Sequence, residues 1–339
     1  MDRILIGHGS GGKLTSDLIK GVFLEHLKSP ILRQLTDAAR IKVTKKDLAF
    51  TTDSYVVKPI FFPGGDIGSL SIFGTVNDLL MMGARPLVVS WGLIIEEGFS
   101  INLLEKITKS VAYAARQSNV EVVTADTKVV EKGDADGVYI NTSGIGQILD
   151  GVRLSAKSIR PGDKIIINGS LGDHGIAILG QRKELNFEFR IKSDSAPLNN
   201  LILGLLKNSK RFSSNAIRFM RDPTRGGLAT TLNEIAQLTG LGIVIDEQNV
   251  PIKKSVKAAC DILGLDPLYI ANEGKVVLIV DKDKSEKILE IMKSLAGGRE
   301  SRIIGEVSSQ HKGKVILKTI VGGSRILDML VSDPIPRIC

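Results

Sequence analysis

Apolar residues recur along this chain in two alternating rhythms. Leu14, Leu18 and Val22 fall four apart and predict an amphipathic helix behind the glycine-rich stretch 7–13. Residues 48–57 read as a strand, 68–82 as a helix and 87–95 as a strand again. The spacing over 101–117 is helical, with Ser100 placed to cap it and Glu105 in its opening turns. Strands are predicted over 120–130 and 138–148. Arg160-Pro161-Gly162-Asp163 marks a turn, and an apolar strand follows over 164–168. Beyond it the pattern predicts helices over 173–183, 198–208, 227–239, 252–263 and 284–296. Strands are predicted over 242–246, 275–281, 302–308 and 313–319. Strands and helices mixed in both halves predict an α/β (α+β) protein of two domains, 1–155 and 156–329. Pro334 and Pro336 oppose helix in residues 330–339, which read as an extended tail, mobile unless docked.

Composition narrows the function classes. No apolar run approaches the roughly 18 residues a membrane helix needs. Met1-Asp2-Arg3-Ile4-Leu5 lacks the layout of a signal peptide, so a cytoplasmic location is expected. Cys260 and Cys339 cannot form a disulfide framework or a four-thiolate metal site. Cys260 reads as a small core residue, whereas Cys339 is the last residue of the sequence. The net charge of +8 favours anionic partners. With aromatics at 4%, no basic stretch carries the interleaved aromatics of a single-strand nucleic-acid binder. Four histidines at 8, 26, 174 and 311 argue against a His-rich zinc site.

The candidate chemistry is mostly acidic. Gly7 and Gly12 bracket four residues, but Leu14 follows Lys13, so this is not a P-loop. Its glycines and Lys13 could still cradle a phosphate. Asp53, Asp66, Asp78, Asp126 and Asp222 lie at strand ends, turns or, for Asp78, on an otherwise apolar helix. Magnesium favours carboxylates combined with phosphate oxygens; each Asp taken singly also reads as a cap or turn residue. If buried, Asp78 must be paired or metal-bound. Arg225-Gly226-Gly227 opens a helix and suits an anion. Gly172-Asp173-His174-Gly175 has the same form, with an ordinary Asp cap as the other reading.

These segments together resemble the ATP-dependent enzymes related to aminoimidazole ribonucleotide (AIR) synthetase. Within that superfamily they resemble the carbamoyl dehydratases of hydrogenase maturation. The resemblance spans the chain: HGSGGK (8–13), TTDSYVVKPIFFPGGDIG (51–68), GTVNDLLMMGA (74–84), TADTKVV (124–130), GSLGDHG (169–175), RDPTRGG (221–227), NEGK (272–275) and the terminal Pro336-Arg337-Ile338-Cys339. Ala125 departs from a common glycine. The resemblance implies a two-domain AIR-synthetase-like fold, with N-terminal domains of a homodimer forming a β-barrel. It implies ATP and Mg²⁺ held by Lys13, Asp53, Asp66, Asn77, Asp78, Asp126, Asp222, Arg225, Gly226 and Gly227, with Asp53, Asp78, Asp126 and Asp222 as metal ligands. The implied reaction dehydrates an S-carbamoyl group on Cys339 to a thiocyanate, supplying a cyanide ligand for the iron of [NiFe] hydrogenase. The carbamoyltransferase HypF is the implied donor and a HypC–HypD complex the acceptor. In that scheme Glu273 is the candidate base, Asn272 orients the amide, and Lys128 polarises the carbamoyl oxygen or holds a phosphate. A thiol is a good nucleophile and a tolerable leaving group, which suits a carrier of one carbon. The rival readings are a small-molecule kinase or selenophosphate synthase of the same superfamily, and a non-enzymatic ATP-binding scaffold. A nucleic-acid binder is more remote.

Overall fold

The computed structural model describes residues 3–5, 8, 17–31, 33, 47–182, 190–209, 215–330, 335 and 337–339. The loop carrying Lys13, the start of the first predicted helix, and Pro334 and Pro336 lie outside them. A π-helical turn (Ile19–Phe23) runs into α1 (Leu24–Leu27). The first unit continues with β1 (Leu48–Tyr55), β2 (Phe61–Phe62), β3 (Gly65–Asp66), α2 (Ile67–Met81), β4 (Ala84–Glu96), α3 (Ile101–Gln117), β5 (Glu121–Val130) and β6 (Val138–Ile148). Its sheet has the order β1-β6-β4-β5. The β4–β5 pair is parallel, and α3 makes the crossover it requires.

One face of this sheet carries Tyr55, Trp91, Leu93 and Val122 into the core, and α2 packs on it. The other face stays open, with Leu48, Phe50 and Ile94 exposed. The described residues of one chain form no closed barrel. Asp66 caps the start of α2, accepting from the backbone N–H groups of Gly68 (2.7 Å) and Ser69 (3.2 Å). Ser100 occupies the cap position of α3 but makes no side-chain cap bond.

The second unit comprises β7 (Lys164–Ile167), α4 (Asp173–Leu179), α5 (Asn199–Ser209), β8 (Ile217–Arg221), α6 (Gly227–Thr239), β9 (Gly242–Asp246), α7 (Lys254–Leu263), β10 (Val277–Val280), α8 (Ser285–Ser294), β11 (Arg302–Ser308), β12 (Val315–Lys318) and β13 (Ser324–Ile326). These strands form a sheet ordered β13-β12-β9-β11-β7-β10-β8. The sequence pattern did not predict β8, whose Arg218 and Arg221 interrupt a short apolar run. They are accommodated by ion pairs, Arg218 with Asp281 and Arg221 with Glu234. The helix predicted over 173–183 ends at Leu179.

A single apolar cluster joins the units. It includes Phe73, Val76 and Leu80 of α2 together with Leu198, Leu201, Leu205 and Met220 of the second unit. Helix α2 is therefore buried almost all round, which explains why its sequence lacks a polar stripe.

Candidate functional site

Where α2 meets the second unit, carboxylates gather. Asp53 lies on the inward side of β1 and accepts from the Tyr55 hydroxyl (3.2 Å) and the Thr75 hydroxyl (3.5 Å). Asp78, one helix away, accepts from the Thr51 hydroxyl at 2.8 Å. Asp222 follows β8, and its carbonyl accepts from Thr231 at 3.3 Å. Glu273, 5% exposed, comes from the loop before β10.

Their ionisation shows that they form one electrostatic group. Burial, then the charges of Asp222 and Asp53, push the Asp78 carboxyl up to about 8. Glu273 is raised well above the carboxylate range, by burial first and then by Asp194, Asp222, Asp53 and Asp78. Asp222 is raised by burial, with Asp53 adding to it. Removing two or more like charges from water together is unfavourable unless a cation joins them. Among the described residues, no three His, Cys, Asp or Glu side chains could hold a metal ion by themselves. Such a set fits a hard cation that also takes phosphate oxygens.

Asn77 and Asn272 set the positions of these groups without facing them. The Asn77 amide donates to the carbonyls of Ala196 (3.0 Å) and Glu273 (3.2 Å) and accepts from Leu198 N–H (2.9 Å). It therefore staples α2 to two loops of the second unit. Asn272, fully buried, accepts from Gly172 N–H (2.8 Å) and donates to the carbonyls of Pro223 and Ile270 (2.9 Å each). Both amides are engaged with backbone, so Asn272 ties three loops together and is not available to orient a carbamoyl group.

Gly226 and Gly227 begin α6 with φ of +71° and +60°, in the left-handed region that favours glycine. A Cβ on Gly226 would lie 2.2 Å from Thr230 Oγ1. At this helix start Gly227 N–H donates to the Thr224 carbonyl (3.0 Å) and Thr230 N–H to the Gly226 carbonyl (3.2 Å); the positive end of the helix, with exposed Arg225 beside it, suits an anion.

Three expected residues stand elsewhere. Asp66 is the cap of α2 and also accepts from Ser110 on α3; burial raises its pKa. Asp126 and Lys128 are exposed on β5, aligned with Gly92 and Ile94 of β4. Asp53 aligns through Thr142 with Trp91, on the opposite face. One chain thus does not bring Asp126 or Lys128 to the carboxylate group. Alternation along a strand decides this, because one residue of register exchanges the faces.

Two residues unassigned from sequence support Glu273. Asp194 accepts from Glu273 N–H (3.2 Å) and pairs with Lys275 Nζ (2.8 Å). Burial opposes its ionisation, but the charge of Lys275, together with the other groups and hydrogen bonds around it, holds the carboxyl below its usual range. Asp194 lies in the polar run Lys192-Ser193-Asp194-Ser195, which reads from sequence only as loop. His174, a weak candidate on its own, is completely buried.

The tail is docked on its own chain. Val56 N–H donates to the Cys339 carbonyl and Lys58 N–H to the Arg337 carbonyl, both at 3.1 Å, an antiparallel pairing immediately beyond Asp53 and Tyr55. Arg337 donates to the Val56 carbonyl (2.8 Å), pairs with Asp136 and lies over the Tyr139 ring. Ile338 is 3% exposed, and Cys339 is half-buried against the core.

Comparison with known proteins agrees with this architecture. The sequence profile described as AIR synthase related protein, N-terminal domain, matches residues 35–148, and its C-terminal counterpart matches 160–318. The chain therefore belongs to the AIR synthase related family. A protein of Azotobacter vinelandii named carbamoyl dehydratase HypE is 46% identical over 332 residues, covering 98% of this chain and 96% of the relative. A crystal structure of hydrogenase maturation protein HypE in complex with ATP superposes with a TM-score of 0.92 at 47% identity, covering 99% of each chain. A structure of a HypE–HypF complex gives a TM-score of 0.80 at 48% identity, covering 92% of this chain and 99% of that one. Within the family, the chain is a member of the HypE carbamoyl dehydratases. No helix among the described residues is long and apolar enough to cross a membrane.

Proposed function

We propose that this protein uses ATP to dehydrate an S-carbamoyl group on Cys339 to a thiocyanate in hydrogenase maturation, acting in the cytoplasm. The observation that carries this reading is the docked tail. The backbone of Cys339, the residue that carries the thiol, accepts from Val56 N–H at the end of the strand that presents Asp53. A kinase for a small diffusing molecule has no use for such a tether, and a scaffold has no use for the carboxylates beside it.

The chemistry balances with the groups available. The carbamoyl oxygen of carbamoyl-Cys339 attacks the γ-phosphate of ATP, displacing ADP, and the nitrogen gives up its first proton to solvent, leaving an O-phosphoryl imidate. Loss of the remaining N–H proton with departure of phosphate leaves S–C≡N on the chain. Glu273 is the proton acceptor; burial among like charges makes its carboxylate a stronger base than a free one. Asp194 and Asn77 hold the Glu273 backbone in place. Gly226, Gly227 and Arg225 offer phosphate contacts at the start of α6. Mg²⁺ fits Asp53, Asp78 and Asp222, where it would offset the charge of the phosphates and of the cluster, leaving Glu273 free to ionise. Lys13 remains a phosphate ligand by resemblance.

Asp126 and Lys128 stand on the open sheet face with Phe50 and Ile94. A homodimer closing a barrel over that face would carry them to the boundary between copies. HypF is the carbamoyl donor in this reading and the HypC–HypD complex the cyanide acceptor. The test is intact-protein mass spectrometry after carbamoylation by HypF, then addition of Mg–ATP. A carbamoyl adduct on Cys339 that loses one water only with ATP is expected, with no adduct in Cys339→Ala. An adduct that ATP leaves unchanged, with a folded protein, would refute the dehydratase reading.

A further inference from the structure

His174 sits at the start of α4, sealed from solvent and edge-on to Phe62, with ring centroids 5.5 Å apart. Each ring nitrogen has one partner. Nε2 lies 2.8 Å from the carbonyl oxygen of Ile338, the residue before the terminal cysteine. Nδ1 lies 2.8 Å from Ser193 Oγ. A carbonyl only accepts, so Nε2 must carry the hydrogen. Ser193 Oγ accepts from Ser195 N–H at 3.0 Å, which leaves its own hydrogen for Nδ1. The relay is therefore directional: Ser195 N–H to Ser193, Ser193 O–H to Nδ1, Nε2–H to the tail. Burial lowers the His174 pKa and keeps the ring neutral, the state this relay requires.

We propose that His174 is the positioning residue for the reacting terminus, with Ser193 setting its tautomer. On the first unit, residues 56–58 pair with the tail backbone and Asp136 holds Arg337. From the second unit, Arg182 donates to the Arg337 carbonyl (3.2 Å), and His174 holds the next carbonyl, that of Ile338, directly before Cys339. The peptide carrying the thiol is thus gripped between the two units, and the backbone of Cys339 is held in one path. Any side chain at position 338 keeps this carbonyl, so the grip reads the tail's backbone path and its length to the terminus. Ser193 is fixed in turn, because its N–H donates to the Pro63 carbonyl at 2.7 Å.

This inference builds on the proposed role of Cys339, but its test needs neither ATP nor a partner protein. Alkylation of Cys339 by iodoacetamide, followed by mass spectrometry of the full chain and its peptides, reads how often the tail leaves its seat. Cys260 is the internal control, fully buried and with its thiol pushed up to about 11, mainly by burial. A Gln side chain reaches the Nε2 position and an Asn only the Nδ1 position. His174→Asn should therefore alkylate at Cys339 roughly tenfold faster than the parent, the effect of one lost buried hydrogen bond, while His174→Gln should stay near the parent rate. His174→Asn at the parent rate, or His174→Gln as fast as His174→Asn, would overturn the proposal. If Cys260 also becomes reactive in His174→Asn, Ser193→Ala decides. A several-fold acceleration at Cys339 alone supports the relay, and none overturns it.

Discussion

Asp78→Asn separates the charge of the cluster from its shape. Asn keeps the size of the side chain and can still accept from Thr51. In the folded protein the Asp78 carboxyl titrates at about 8 instead of 3.8, through burial and then Asp222 and Asp53. The folded state thus retains a proton that the unfolded chain has lost. The associated stability is fully present below about pH 4 and is lost as pH rises toward about 8, at about 1.4 kcal/mol per unit. Between about pH 5 and about pH 7.5 the parent should lose up to about 3 kcal/mol that Asp78→Asn does not. Because the Asp222 carboxyl beside it is also raised, a working range is about 1–3 kcal/mol. Urea unfolding without nucleotide, followed at both pH values, measures the difference. The variant's advantage over the parent should grow by about 1–3 kcal/mol between pH 5 and pH 7.5, while ATP turnover on the carbamoylated chain collapses. A difference that does not change with pH, or a variant less stable than the parent near pH 7.5, would refute the picture of mutually repelling carboxylates. Stability given up at a catalytic cluster in this way is a common exchange.

Asn77→Ala removes three hydrogen bonds between the units and strands Leu198 N–H and the Ala196 and Glu273 carbonyls. A loss of about 3–5 kcal/mol in urea unfolding is expected, and a loss below about 1 kcal/mol would mean the staple is dispensable. Gly226→Ala forces a left-handed backbone on a residue with a Cβ and presses it against Thr230. It should lower stability by about 1–3 kcal/mol and weaken ATP binding measured by calorimetry. Adding Thr230→Ala should restore part of the stability, and no recovery would argue against the steric cause.

How much was legible beforehand differed from element to element. The helices over 101–117 and 227–239 and the strands over 138–148, 242–246 and 302–308 occur as their periodicity predicts, because each buries one face in the usual way. Strand β8 was invisible, since its arginines mask the apolar alternation until Asp281 and Glu234 are seen to neutralise them. Asp78 stood out on an apolar helix and proved to be half-buried beside Asp53 and Asp222. Asp66 also stood out, yet its environment is that of a helix cap. Asp194 carried no signal, because its function depends on Lys275 and Glu273 folding back onto it.

Residue types, local period and motif spacing were enough to mark the chain's class, its carboxylates and its terminal thiol. These are properties of short segments, and short segments carry them unfolded. The tertiary structure alone decided which carboxylates share a field, that Asp126 and Lys128 face away from Asp53, and that Asn77 and Asn272 hold loops together. It also decided that the tail seats between Val56 and His174. Each of these is a contact between residues far apart in sequence, or a choice of sheet face, and neither exists until the chain has packed.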